Sequence, residues 1–275
     1  MLKSLHLPLS VHPHATSPLA IERALAFAGR LEAHVSAFVE APRLSQPVSF
    51  HPYGMDTETR HAGQQALVDE AARALAEAAR VRATELGVAH RVEVLETQET
   101  NGDDPIVGLA RLFDLTIAPY AEGDAAFATT VQALAFDSGR PILLLPENGG
   151  QVKLDSAVVA WDFGRSAARA LSDAMPLLVR AGEVRIVVVA NEKDIPEMGS
   201  APLLVDNLVR NGVKARMELV ERGNRTVGAT IDAAAASADL LVMGAFGHSR
   251  LRNFFLGGAT RHVLERPLLP TLLAN

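Results

Sequence analysis

The sequence predicts an α/β fold built from two tandem half-domains, each a roughly five-stranded, mainly parallel open sheet with helices on both faces. Three observations support this prediction. Short apolar runs alternate with helical periodicities along the chain, as in proteins whose parallel strands are covered on both faces. The same order of elements occurs twice. The length of 275 residues also suits two domains of about 140 residues each.

The second half, residues 154–275, shows the alternation most clearly. Asn211-Gly212 ends one helical pattern, because Asn and Gly readily adopt the backbone conformation that follows a helix. The predicted strands are residues 156–161, 184–190, 214–220, 240–243 and 270–274, and the predicted helices between them include 167–178, 201–210 and 226–237. Strands and helices that alternate in this way predict a parallel sheet with right-handed crossovers.

The first half, residues 1–147, repeats this order with less regularity. The matching segments are residues 34–40 with 185–191, 114–119 with 239–244, and 141–145 with 270–274. A long helix is predicted at 61–86, after an aperiodic stretch at 42–60 that carries three prolines. The polar, glycine-bearing stretch 147–153 is the predicted linker between the halves.

The composition excludes several classes of function. A formal net charge of −6 gives no broad basic surface for a phosphate backbone, so we expect no nucleic-acid binding. The chain has no cysteine, which excludes disulfides, thiolate metal sites and cysteine nucleophiles. No apolar run approaches the ~18 residues that span a membrane, and Pro8 and Pro13 interrupt the apolar start of the chain. We therefore expect a cytoplasmic protein without membrane contact.

One stretch of the second half carries a motif with a chemical meaning. Gly244 and Gly247 follow a predicted buried strand, and nine residues separate Gly247 from Gly257-Gly258. In open parallel sheets, ligands bind beyond the carboxyl ends of the strands. Glycines there let backbone N–H groups approach a phosphate, and the positive N-terminal end of the following helix favours an anion. The spacing therefore indicates a phosphate-binding loop.

The stretch ADLLVMGAFGHSRLRNFFLGGATRHVL, residues 238–264, resembles the signature of the universal stress proteins, Gly-x2-Gly-x9-Gly-(Ser/Thr) after an Asp-hydrophobic-Met-Gly strand end. The order of elements is also similar, so the resemblance covers nearly the whole chain, although the motif is confined to the second half. It implies an adenine nucleotide alpha hydrolase-like fold in a tandem, two-domain member. It also implies a stress-response or regulatory module that binds ATP or another adenine nucleotide, and leaves open whether Mg²⁺ accompanies it.

The resemblance assigns roles to particular residues. Asp162 contacts the adenine, and a backbone position late in the second strand, here Val189, also meets the base. Met243 and Gly244 border the ribose. Arg250, in the loop, is a candidate charge-assisted donor to a phosphate. The neighbours that line the base pocket are Ala160 and Trp161, and the residues that cradle the phosphates are Gly247, Gly257, Gly258 and Ala259.

Two residues depart from the family pattern. Gly258 stands where Ser or Thr is expected, which removes a hydroxyl worth about 1 kcal/mol in a neutral hydrogen bond. Thr260 lies two residues on and replaces that hydroxyl only if the start of the helix shifts. Trp161 is bulky for a residue that lines an adenine slot, although an indole can stack on a base.

The first half lacks the residues of the motif. Pro119 stands where Gly244 stands, and Glu122 stands where Gly247 stands. A proline removes a backbone donor and a carboxylate repels a phosphate. Ser10 and Val11, the candidates opposite Asp162, cannot replace its carboxylate. We therefore expect no nucleotide in this half.

Other polar residues are better explained by structure, and two alternative functions stay open. Asp103-Asp104-Pro105 is the expected start of a helix, and His12-Pro13-His14 with His6 lacks the remaining ligands of a metal site. We assign no catalytic or metal-binding residue. A nucleotide-free interaction protein of the same fold, or a weak ATP hydrolase with Asp162 as base, remain as alternatives. A homodimer is the family-level expectation, and protein partners are not identified.

Overall fold

The computed structural model describes residues 2–45, 55–98, 104–120, 125–148, 150, 152–190, 199–245 and 258–275. The strands are β1 (Ser4–Ser10), β2 (His34–Arg43), β3 (His90–Gln98), β4 (Leu115–Tyr120), β5 (Ile142–Pro146), β6 (Ser156–Ala160), β7 (Glu183–Ala190), β8 (Ala215–Glu221), β9 (Leu240–Gly244) and β10 (Thr271–Ala274). The helices are α1 (Pro18–Leu31), α2 (Met55–Glu85), α3 (Pro105–Ala110), α4 (Ala125–Asp137), α5 (Arg165–Leu178), α6 (Ala201–Arg210), α7 (Val227–Ala235) and α8 (Gly258–Glu265).

The strands form one ten-stranded sheet in the order β3-β2-β1-β4-β5-β10-β9-β6-β7-β8. All neighbouring strands within each half are parallel. The two halves meet through their last strands, β5 and β10, which are antiparallel and place Leu143 opposite Leu272. Each half thus contributes five strands in the same order, and the predicted fold class is confirmed.

Helices cover both faces of the sheet, and each face has its own apolar core. One core packs α1, α2, α5 and α6 against the sheet, and the other packs α3, α4, α7 and α8. Both cores cross the junction, because Leu143 and Leu272 belong to the first core, and Leu144 and Leu273 belong to the second. Each fully buried side chain of this size contributes about 1.5–3 kcal/mol by its removal from water. The junction is therefore part of the hydrophobic core.

Two features of the first half test predictions made from the sequence, the cap at Asp104 and the long helix. Asp104 caps α3, since its Oδ1 accepts a hydrogen bond from Ile106 N at 2.9 Å and Pro105 occupies the first turn. The predicted capping role of Asp104 is confirmed, whereas Asp103 lies outside the described residues. The long helix begins at Met55, six residues before the predicted start at 61, because the stretch before it has no periodicity that marks a boundary.

The register of the sheet corrects the internal sequence match. Ser4 and Ser156 are equivalent, because the N–H of each donates to the aspartate that precedes the fourth strand of its half. Their partners on the neighbouring strand are His34 and Glu183. Residues 34–40 therefore match residues 183–189, and not 185–191. A shift of two residues leaves every side chain on the same face, so the apolar pattern alone could not detect it.

The predicted linker is partly packed into the fold. Val152 is buried in the first core, and its carbonyl accepts a hydrogen bond from Arg30 Nη1 of α1 at 3.1 Å. The division of the chain at 147–153 stays a prediction. In the described part of the chain, no helix is both long enough and apolar enough to cross a membrane.

His6 is a core residue. It is fully buried, stacks on Phe113 with ring centroids 5.4 Å apart, and its Nδ1 lies 3.1 Å from Thr116 Oγ1. Burial lowers the pKa of His6 to about 4, so the imidazole is neutral at physiological pH. Among the described residues, no cluster of three or more His, Asp or Glu side chains could hold a metal ion.

Candidate functional site

A cavity of about 660 Å³ lies at the carboxyl edge of the C-terminal half of the sheet. Its volume falls within the range of about 300–1,000 Å³ that is typical of sites for small ligands. The predicted residues that line it are Ala160, Trp161, Asp162, Val189, Met243, Gly244, Gly258 and Ala259. The other three predicted residues, Gly247, Arg250 and Gly257, lie outside the described residues.

Asp162 lies at the start of the connection from β6 to α5 and is exposed. Its Oδ1 accepts a hydrogen bond from Gly164 N at 2.8 Å, which closes a tight turn before α5. Phe163 in this turn has a φ of 58°, in the left-handed region that non-glycine residues rarely adopt. A Cβ on Gly164 would lie 2.8 Å from Asp162 Oδ1, so a larger residue there would displace the carboxylate. The turn therefore fixes the carboxylate at the mouth of the cavity.

Apolar side chains form the wall next to Asp162. Ala160 lies opposite Val187, so the register of β6 and β7 continues to bring Val189 beside Asp162. Val187, Val189 and Met243 all contact the core on the face that carries α7 and α8. A flat apolar group could lie against this wall with a polar edge near the carboxylate.

Gly244 lines the cavity and also has a packing role. A Cβ at this position would lie 2.6 Å from Ala167 N and 2.6 Å from the carbonyl carbon of Ser166. These are backbone atoms in the first turn of α5, and they cannot rotate away. The end of β9 can approach α5 this closely only because residue 244 is glycine.

Helix α8 begins at the cavity with Gly258 in its first turn. The first backbone N–H groups of a helix have no partner within the helix, and together with the helix dipole they favour an anion. Gly258 is exposed, and no atom of the described residues lies within 4 Å of the place where its Cβ would be. Thr260 is buried, and its Oγ1 lies 3.5 Å from the carbonyl of Gly244. The hydroxyl of Thr260 therefore faces β9 and does not replace the one missing at residue 258.

Trp161 borders the cavity but packs its indole elsewhere. The indole contacts the core that contains α5, and its edge meets the ring of Phe163 with centroids 5.9 Å apart. Within the described part of the chain, its buried Nε1 has no hydrogen-bond partner. Trp161 thus supports the turn that carries Asp162.

Sequence reasoning missed several polar residues of this region. Arg222 directly follows β8 and Thr226 caps α7, and both line the cavity. His262 of α8 also lines it, with its Nε2 2.7 Å from Asp232 Oδ2 of α7. Thirty positions separate His262 from Asp232 in the sequence. No local motif could join these two residues, because only the packing of α7 on α8 brings them together.

The corresponding edge of the first half carries acidic groups. Glu40, opposite Ser10, occupies the position that Val189 occupies in the second half. Asp104, which caps α3, corresponds in the same way to Thr226, which caps α7. Burial, and to a lesser extent the nearby Asp104, raise the pKa of Glu40 to about 7. Carboxyl groups therefore replace an apolar residue and a hydroxyl at this edge, which supports the prediction that no nucleotide binds there.

We expect Glu40→Gln to raise the free energy of unfolding by about 2 kcal/mol at about pH 8, and to give no gain at about pH 4. The pKa of Glu40 is about 7 in the folded chain and 4.5 in the reference state. Stability from the neutral carboxyl is therefore fully present below 4.5 and is lost as the pH rises through 7. Urea unfolding at the two pH values measures the difference, with exposed Glu70→Gln as the control. An equal effect at both pH values would contradict the assignment.

Comparison with known proteins gives matches in structure only. No protein-family model and no curated protein matches the chain. A universal stress protein from Archaeoglobus fulgidus DSM 4304 superposes with a TM-score of 0.69 at 16% identity, covering 98% of this chain and 96% of that one. A putative universal stress protein from Pseudomonas aeruginosa UCBPP-PA14 gives 0.58 at 14% identity, covering 99% and 93%. A functionally unknown protein from Pseudomonas aeruginosa PAO1 gives 0.55 at 14% identity, covering 99% and 92%.

These matches extend over both halves, so they compare the complete arrangement of ten strands and not one half alone. At such low identities the likeness concerns the fold. The signature at residues 238–264 and the observed topology thus lead to the same conclusion: the chain has the two-unit α/β fold of the universal stress proteins.

Proposed function

We propose that this protein is a regulatory module of the universal stress type that binds ATP or another adenine nucleotide in its C-terminal half. Binding would act by changing protein partners or oligomeric state. The observation that carries the proposal is the cavity of about 660 Å³, which has Asp162 at its mouth and the first turn of α8 on its wall. Two of the structures that share the fold are described as universal stress proteins, which agrees with this proposal.

The chemistry of the cavity suits the parts of an adenine nucleotide. The apolar wall of Val187, Val189 and Met243 matches the flat faces of a base. The carboxylate of Asp162 can accept a hydrogen bond from an amino group or a ribose hydroxyl. The first amides of α8 suit phosphate oxygens, and half-buried Arg222 adds a positive charge at the other side. Mg²⁺, where it takes part, would enter with the phosphates.

Isothermal titration with ATP, ADP and AMP tests the proposal. We expect binding by the wild type, and binding at least about tenfold weaker in Asp162→Ala, because a hydrogen bond to a charged group contributes about 1.5–3 kcal/mol. Asp206→Ala removes an exposed carboxylate from α6 in the same half and should bind like the wild type. The absence of heat with all three nucleotides would contradict the proposal.

A nucleotide-free interaction protein is the second candidate, and one observation favours it. Residue 258 has no hydroxyl, and Thr260 does not supply one. In Gly258→Ser the new Cβ would meet none of the described residues within 4 Å, and the variant restores the family residue. If the second candidate is correct, neither the wild type nor this variant binds nucleotide, and pull-downs still recover partners.

Any homodimer would use a surface other than the last strands. Strands β5 and β10 already pair with each other within one chain, so neither is an open sheet edge. The open edges of the sheet are β3 and β8. Sedimentation measurements with and without nucleotide test whether two chains assemble through these edges or through the helical faces.

A further inference from the structure

His262 and Asp232 form a hydrogen-bonded pair at the wall of the cavity. The imidazole Nε2 lies 2.7 Å from Asp232 Oδ2, a short distance for a bond between an N–H and a carboxylate. The Asp232 side chain is only 14% exposed, whereas that of His262 is 41% exposed. The carboxylate is therefore largely shielded from water, and the imidazole is open to a ligand.

The packing of α8 on α7 determines which edge of the imidazole is available. A Cβ on Gly228 would lie 2.6 Å from His262 Cβ and 2.9 Å from its Cδ2, so this edge of the ring rests directly on α7. Nε2, on the same edge, bonds to Asp232. The opposite edge carries Nδ1 and faces away from α7. Within the described residues, Nδ1 makes no hydrogen bond.

The ring also lies near the place proposed for the phosphates. His262 lies four residues, about one helical turn, after Gly258, so the two residues lie on the same face of α8. His262, Gly258 and Ala259 all line the same cavity. A phosphate group held by the first amides of α8 would therefore lie close to Nδ1.

We propose that His262, oriented by Asp232, is a general base that activates water for hydrolysis of the terminal phosphoanhydride of a nucleoside polyphosphate in this cavity. The inference rests on the proposed function, because it requires a nucleotide in the same site. Asp232 accepts a hydrogen bond from the protonated Nε2 of His262 and so favours the tautomer in which Nδ1 has a lone pair. A carboxylate that orients a histidine in this way also stabilises the imidazolium that forms during proton transfer.

The reaction is balanced without an oxidant or reductant. The water oxygen bonds to the terminal phosphorus while Nδ1 of His262 takes one of its protons. The bond from that phosphorus to the bridging oxygen breaks, and the bridging oxygen leaves with the electron pair on the shortened nucleotide. The imidazolium then releases its proton to solvent. Phosphoryl transfer depends mainly on positioning and charge neutralisation, which the amides of α8 would supply, together with a divalent cation if one enters with the phosphates.

The variant that separates catalysis from a structural role is His262→Gln. A glutamine Nε2 can still donate to Asp232 and hold α7 and α8 together, but glutamine has no basic nitrogen to replace Nδ1. We expect the release of inorganic phosphate from Mg–ATP to fall about 10²–10⁴-fold, the usual contribution of a general base. The affinity for a non-hydrolysable ATP analogue should stay within about threefold of the wild type, because binding contacts are retained.

Two further measurements distinguish the mechanism. Asp232→Asn keeps the size of the side chain and should also lower turnover. His61→Gln on α2, where His61 Nε2 lies 2.9 Å from the Leu44 carbonyl, is the remote control and should leave turnover unchanged.

The outcomes separate this inference from the function on which it rests. If the wild type binds the analogue but His262→Gln releases phosphate at the wild-type rate, or the wild type releases none above the buffer rate, the inference is wrong and the proposed function stands. If the wild type binds neither ATP nor the analogue, both are wrong.

Discussion

Gly244→Ala is expected to lower the free energy of unfolding by about 3 kcal/mol and to abolish nucleotide binding. The added Cβ would lie 2.6 Å from Ala167 N and from the carbonyl carbon of Ser166, closer than a Cβ approaches any non-bonded atom in real proteins. Because both are backbone atoms, β9 and α5 must move apart. The movement separates the Asp162 turn, which leads into α5, from Met243 at the end of β9, so the cavity loses its shape.

Urea unfolding and nucleotide titration measure the two parts of this prediction. The matched control is Gly258→Ala, since in the part of the chain that the structure describes no atom lies within 4 Å of the new methyl group, and alanine favours a helix. We expect this control to change stability by less than about 0.5 kcal/mol. Wild-type stability in Gly244→Ala would show that β9 and α5 have room to relax, and would contradict the packing role of Gly244.

Leu272→Ala is expected to lower the free energy of unfolding by about 2–5 kcal/mol, the usual cost of a cavity in a well-packed core. Leu272 is fully buried in β10, between Leu143 of the other half and Val242 of β9. Leu268, only a few residues earlier, is 56% exposed, so Leu268→Ala is the control and should cost less than about 0.5 kcal/mol. Equal effects of the two variants would contradict a buried junction.

The same variant tests whether the halves unfold together. The single tryptophan, Trp161, reports on the C-terminal half, whereas far-ultraviolet circular dichroism reports on the helices of both halves, including the 31-residue helix α2 of the first. Both cores cross the junction, and Tyr120 of the first half donates to the Glu265 carbonyl of the second at 2.9 Å. We therefore expect the two signals to change in one transition, displaced equally in Leu272→Ala. Separate transitions would show that the halves are independent units.

Elements with strong local signals could be predicted closely from the sequence. Helix α6 has the predicted bounds of 201–210, because Asn211-Gly212 ends it and Gly212 has a φ of 84°. The sequence predicts the start of α2 six residues too late, because the residues before it show no helical periodicity. The sequence predicts that residues 34–40 match residues 185–191, whereas the structure matches them with residues 183–189. Uniformly apolar strands define the buried face but not the register, so the sequence pattern could not detect this shift of two residues.

The part of the candidate site that directly follows the strands could be predicted from the sequence. The carboxyl ends of parallel strands converge at one edge, so the sequence predicts a binding loop that begins at Gly244, and the resemblance to the universal stress proteins adds Asp162 and Val189 to it. The pairs His262–Asp232 and Glu40–Asp104 could not be found in this way. Each joins residues of separate elements whose relative placement depends on the packing of the whole fold.

The most direct test of the proposed function is native mass spectrometry of the intact chain after incubation with ATP. The C-terminal cavity and the acidic edge of the first half together predict one adenine nucleotide per chain, with a lower occupancy in Asp162→Ala at the same ATP concentration. Two nucleotides per chain would show that the first half also binds, in spite of Glu40 and Asp104. No bound nucleotide at any ATP concentration would contradict the central claim.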